Sequence, residues 1–158
     1  MSTEKRKLYL AYGSNLNVPQ MRRRCPNATI VGTATIPDYQ LLFKGSKTGA
    51  YLTIEKKPGS SVPVGVWSVT AHDEMELDVY EGFPSFYYKA EMTVEVKGVK
   101  SGKKRNRKAF AYIMREEREL GTPSQFYVDV CKAGYETFGF DPEFLREAIK
   151  ASVTKEDE

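Results

Sequence analysis

The sequence predicts an α+β domain built around a largely antiparallel sheet, with enough strands to close a barrel. Two observations carry this: six or seven β-rich runs along the chain, and only four helical segments scattered among them. The length of 158 residues fits one domain with a real hydrophobic core. We find no internal repeat and no linker of boundary character, so a single domain over 1–158 is expected, with its core at about 7–150 and frayed tails.

The elements follow in order. Residues 7–11 read as a short buried strand. Two β-rich runs, 29–36 and 39–44, are split by the turn residues Pro37 and Asp38. Runs 50–55 and 62–69 are likewise separated by Pro58, Gly59, Ser60 and Ser61. The clearest strand is 90–96, where Ala90, Met92, Val94 and Val96 alternate with Glu91, Thr93 and Glu95. Its expected partner, 108–115, places Phe110, Tyr112 and Met114 on one face. Among helices, Asn17 caps a short one running through Cys25, with Pro19 in its first turn. Thr70 caps 71–81 and Gly82 stops it. Thr122 and Gln125 read as a capping box opening a helix to about Phe138. Asp141 and Pro142 start the last, with Leu145, Ala148 and Ile149 as its apolar stripe.

Composition narrows the chemistry. No apolar run approaches the roughly 20 residues a membrane span needs. The N-terminus lacks a signal-peptide core, so a cytoplasmic setting is expected. Cys25 and Cys131 are too few for a disulfide framework and read as packing residues. The lone His72 excludes a His-rich zinc site and leaves acid–base work to a carboxylate. The net charge of +3 is unevenly spread: seven basic residues and no acid lie between Lys97 and Lys108. Removing those seven from 24 leaves 17 basic against 21 acidic residues. The segment reads as a hairpin tip at Gly98 and Gly102 and carries no aromatic for base stacking, so nucleic acid is not expected as a partner.

Two segments can carry chemistry. Tyr12, Gly13, Ser14, Asn15 and Leu16 leave a buried strand, turn at a glycine and enter a capped helix. That geometry aims backbone N–H groups outward, as a carboxylate or phosphate requires; a plain tight turn accounts for the same residues equally well. The segment lacks the length and Lys-Ser/Thr ending of a Walker loop, and Ser14 is in no Gly-x-Ser-x-Gly elbow. The second is Leu77 to Pro84. Glu81 lies four residues after Leu77, so both share a face, and Leu77 must look inward. Partial burial and the C-terminal helix dipole both raise a carboxylate's pKa. For an arbitrary Glu, a solvated helix end is the commoner outcome. Asp78, opposite Tyr80, reads as surface, while Tyr80, Phe83, Phe86, Tyr87 and Tyr88 can wall Glu81 from water.

The run Tyr12-Gly13-Ser14-Asn15-Leu16, followed by Gln20-Met21 and Arg24-Cys25-Pro26, resembles the γ-glutamylcyclotransferase-like (AIG2-like) family. The agreement continues through Pro63-Val64-Gly65-Val66-Trp67, Leu77-Asp78-Val79-Tyr80-Glu81-Gly82 and Pro123-Ser124 with Tyr127. The resemblance implies a small mixed, largely antiparallel β-barrel with flanking helices. It implies Glu81 as the catalytic base and Tyr12, Gly13, Ser14, Asn15, Leu16 and Tyr127 as substrate contacts. It further implies a γ-glutamyl amide cyclised to 5-oxoproline, chemistry that needs no cofactor or metal; no membrane partner is expected, and the chain is expected as a monomer or homodimer. A binding module for a small γ-glutamyl or anionic metabolite on the same fold is the alternative.

Overall fold

The structure, a computed structural model, describes residues 5–153; the tail at 154–158, expected to fray, lies outside the described residues. Its strands are β1 (Arg6–Ala11), β2 (Thr29–Lys44), β3 (Tyr51–Thr70), β4 (Tyr87–Gly98) and β5 (Lys104–Met114). They close a barrel in the order β1-β3-β2-β4-β5. Every pairing is antiparallel except β1 with β5, which meet in parallel at Tyr9 and Phe110. Four helices flank it: α1 (Val18–Arg24), α2 (Ala71–Glu81), α3 (Gln125–Phe138) and α4 (Glu143–Ser152). None among the described residues is long and apolar enough to cross a membrane.

The strands correct the expectation in two places. Residues 29–36 and 39–44 form one strand, and so do 50–55 and 62–69. The turn residues that split them lie opposite one another. Pro37 pairs with Ser61 and Tyr39 with Lys56, so one residue on β2 faces four on β3 in a wide bulge. Asp38 takes a positive φ of 61° there and accepts a hydrogen bond from the Gly59 N–H at 3.0 Å. On β4, Val94 and Val96 are buried between exposed Glu91, Thr93 and Glu95, as the alternation requires. On β5, all of Ala109 to Met114 are buried, so Phe110, Tyr112 and Met114 do not mark a single wet-or-dry face. The residues between them are covered too, so both faces of this stretch are buried.

The basic segment is a hairpin, with Gly98 N–H bonded to the Lys103 carbonyl at 3.0 Å. Its loop is shorter than the expected 97–108, since Lys104 already pairs with Lys97 on β4.

Helix caps follow their sequence signals with one exception. Asn17 accepts from the Gln20 N–H, and Thr70 with Asp73 forms a full capping box on α2. Gly82 ends α2 in the left-handed region at φ 64°, where a side chain is strained. For α3 the cap is Ser124, accepting from the Tyr127 N–H at 3.2 Å, rather than the expected Thr122–Gln125 box. Thr122 is instead drawn to the Lys47 carbonyl. On α4, Leu145 and Ala148 are buried, and the Phe43 N–H of β2 donates to Ser152 Oγ at 2.8 Å.

Candidate active site

After β1, a single 3₁₀ turn at Ser14–Leu16 precedes α1. Its seat is made of glycines. A Cβ on Gly65 of β3 would lie 2.7 Å from Leu16 Cδ2, and one on Gly134 of α3 only 2.5 Å from the Leu16 carbonyl carbon. Leu16, fully buried in that seat, anchors the turn from below. It does not reach the cavity, so the structure moves it from the expected substrate contacts to the support. Gly13 is bare for another reason: a Cβ there would come 3.1 Å from Tyr127 Oη. Asn15 is buried and pinned on three sides. Its Nδ2 donates to Tyr9 Oη at 2.9 Å, its Oδ1 accepts from Arg24 at 2.6 Å, and its carbonyl accepts from Trp67 Nε1 at 3.1 Å. Ser14 Oγ is 2.9 Å from Tyr80 Oη. The opening N–H groups of such a turn have no acceptor within it.

Glu81 is the last residue of α2, one turn after Leu77. Leu77 is fully buried, a contribution of about 2 kcal/mol that fixes the rotation of the helix. Glu81 therefore turns inward with it. It keeps partial contact with solvent, yet its carboxyl makes no hydrogen bond or ion pair with the described residues. Burial pushes its pKa up to about 8, against the opposing pull of the Arg24 guanidinium.

A cavity of about 350 Å³ joins the two segments: Tyr12, Gly13, Ser14 and Asn15 on one side, Glu81 and Gly82 on another. Tyr127 closes a third side, its Oη accepting from the Leu52 N–H at 3.2 Å. Of the aromatic residues expected to wall Glu81, Tyr80, Phe86 and Tyr87 do so. Phe83 instead lies under Lys89, and the hydroxyl of Tyr88 donates to Glu116.

Sequence reasoning missed Tyr9, Tyr51, Leu52 and Tyr112 in this wall, and the place of Arg24 behind it. Arg24 stacks 3.7 Å above the Tyr80 ring and bonds Gln20 as well as Asn15. The presence of Arg24 in the run Arg22-Arg23-Arg24 was visible, but nothing local separated it from its neighbours. Asp78, read as surface, accepts from Tyr112 Oη at 2.6 Å and pairs with Lys89 at 2.9 Å, so it buttresses the cavity wall.

Burial first, and the Glu81 charge second, hold the phenols of Tyr9 and Tyr12 well above their ordinary value. They stay protonated. Cys25 and Cys131 are buried free thiols, both pushed up to about 12 chiefly by burial, which fits packing. His72 is exposed. No group of His, Cys, Asp and Glu among the described residues is arranged to hold a metal ion.

Barrel, pinned turn and unpaired carboxylate together define a class: a small barrel protein with a polar cavity into which a half-buried carboxylate opens. The sequence model of the family described as "Gamma-glutamyl cyclotransferase, AIG2-like" matches residues 9–129. Gamma-glutamylcyclotransferase of Homo sapiens is 31% identical over 152 residues, covering 91% of this chain and 77% of the relative. The Mus musculus protein of the same name is 30% identical with the same coverage. A solved structure of a gamma-glutamyl cyclotransferase superposes with a TM-score of 0.75 at 26% identity, covering 96% of this chain and 90% of the other. The chain belongs to the γ-glutamyl cyclotransferase, AIG2-like family.

Proposed function

We propose that this protein is a γ-glutamyl cyclotransferase-type enzyme in which Glu81 is the general base and acid. The α-amine of a γ-glutamyl amide attacks its own γ-carbonyl carbon. The amide C–N bond then breaks, giving 5-oxoproline and a free amine or amino acid. The nucleophile comes with the substrate, and the ring closure is intramolecular, so holding the near-attack geometry supplies much of the acceleration. The amine arrives mostly as an ammonium. The Glu81 pKa of about 8 brings its carboxyl far closer to an ammonium than an ordinary carboxylate, so the proton passes between them at reduced cost. Glu81 takes that proton and returns it to the leaving nitrogen.

In this reading the N–H groups at Gly13 and Ser14, which have no acceptor within the turn, receive the oxyanion or the α-carboxylate. Arg24, fixed behind Asn15, adds positive potential to the same loop. Tyr12 and Tyr127 shape the walls of the γ-glutamyl site. The reading needs no second subunit, so a monomer or a homodimer satisfies it. A cytoplasmic setting fits two buried free thiols.

The observation that carries the reading is the unpaired Glu81 carboxyl opening into the cavity of the 12–15 loop. Purified protein given γ-glutamyl-alanine should release alanine and 5-oxoproline. Glu81→Gln should lose roughly 10²–10⁴-fold in turnover with its fold intact by circular dichroism. Near-normal turnover in that variant overturns the role of Glu81, and a thermal shift with γ-glutamyl ligands without any turnover would indicate a binding module.

A further inference from the structure

A second cavity, of about 460 Å³, abuts the first. Ser14, Tyr51, Tyr80 and Tyr127 line both, whereas Glu81 opens only into the first. A γ-glutamyl amide held with its reacting carbonyl near Glu81 must send its other half somewhere, and this is the adjoining space. The charge of that space is one-sided. Arg23 and Arg24 line it, and no acidic residue does. Arg24 is already engaged by Asn15, Gln20 and the Tyr80 ring. Arg23 is exposed on the last turn of α1 and has no acidic partner within ion-pair range among the described residues. Phe126, 75% exposed, and Tyr51, 49% exposed, line the same cavity and leave two large apolar surfaces there.

Resting on the cyclotransferase reading, we propose that this second cavity receives the departing amine and that Arg23 is its specificity determinant. It favours leaving groups that carry an extra negative charge, namely amino acids with acidic side chains, over neutral and basic ones. An exposed guanidinium gives modest selection because solvent screens it, so the expected preference is about fivefold. The apolar surfaces of Phe126 and Tyr51 cover the methylenes of such a side chain while its carboxylate meets Arg23.

The test compares γ-glutamyl-glutamate with γ-glutamyl-glutamine, which differ by one charge at nearly constant shape, and adds γ-glutamyl-lysine. Release of 5-oxoproline gives kcat/KM for each. Wild-type protein should prefer the glutamate substrate over the glutamine one about fivefold, and less at high salt. Arg23→Ala should bring that ratio toward one, Arg23→Lys should retain most of it, and Arg23→Glu should move the preference to the lysine substrate. Melting temperatures establish that each variant is folded. A wild-type ratio of one, or a ratio that Arg23→Ala leaves untouched, overturns the selectivity while the cyclotransferase reading stands. Absence of 5-oxoproline from all three substrates overturns the selectivity, and its absence from γ-glutamyl-alanine as well overturns the cyclotransferase reading.

Discussion

The two ends of α2 each bury a carboxylate, and they could hardly be treated more differently. Asp73, at the N-terminal end, is fully buried, and its Oδ2 accepts from the Thr70 N–H at 3.1 Å while its own N–H bonds Thr70 Oγ1. The helix dipole favours an anion there. Glu81, at the C-terminal end, has no protein partner, sits where the dipole opposes an anion, and opens into a cavity. Between them, burial raises the Glu74 carboxyl, but hydrogen bonds from Lys89 and Lys7 outweigh it and hold the group below its usual range. Burial alone therefore marks nothing. The difference lies in whether the fold supplies the missing hydration or leaves it to a ligand.

The largest break between the two ends should appear on removing each charge. Glu81→Gln should lose roughly 10²–10⁴-fold in turnover and yet stabilise the fold at high pH. The Glu81 pKa of about 8 lies above its ordinary 4.5, so the folded state binds more protons than the unfolded across that window. Its contribution to stability is full below 4.5 and lost as pH rises through about 8. The melting temperature of Glu81→Gln should exceed the parent's by about 10 °C at pH 9 and approach it at pH 5. Asp73→Ala should do the reverse, keeping turnover and losing about 1 kcal/mol, or about 2–4 °C. That loss stays at the low end, because Asp73 Oδ1 has no hydrogen-bond partner to forfeit. If Asp73→Ala abolished activity instead, the contrast between the ends would be false.

The same titration should appear in kinetics. kcat/KM, which reports the free enzyme and the free substrate, should climb about tenfold per pH unit below about 8 as Glu81 ionises, and fall again once the substrate ammonium has lost the proton that Glu81 relays. A flat profile between pH 6 and 8 would mean that another group carries the proton. Tyr127→Phe is a smaller perturbation. It removes the acceptor of the Leu52 N–H and the hydroxyl facing Gly13, and should cost about tenfold or less in kcat/KM. Smallest of all, replacing Lys103, Lys104 and Arg105 by Gln in the exposed hairpin should leave turnover unchanged and shift stability within about 0.5 kcal/mol.

How much of this was legible depends on the range of each interaction. Glu81 could be found because Leu77 lies one turn before it and fixes its direction, an argument local to one helix. The turn at 12–16 was legible for the same reason. The wall was not: Tyr112 meets Asp78 across 34 positions and Tyr12 reaches the Tyr112 carbonyl across 100. Arg24 stood out from Arg22 and Arg23 only after Asn15 and Tyr80 came to face it. The long strands β2 and β3 were misread because turn residues mark a change of direction without saying whether the chain leaves the ladder or merely bulges. Pairing partners decide that, and they are remote.

The phenols around Glu81 have a further consequence for side reactions. Tyr12 donates to the Tyr112 carbonyl at 2.6 Å, Tyr87 to the Leu52 carbonyl at 2.8 Å, and Tyr112 to Asp78. Their hydroxyl hydrogens point into the scaffold, leaving mostly ring carbon on the cavity side. On that stretch of wall a stray water finds few anchors, and elsewhere it competes with the substrate for Glu81, the turn N–H groups and the hydroxyls of Ser14, Tyr80 and Tyr127. Hydrolysis of the γ-amide to glutamate, the competing fate of the same carbonyl, is thereby starved of its reactant.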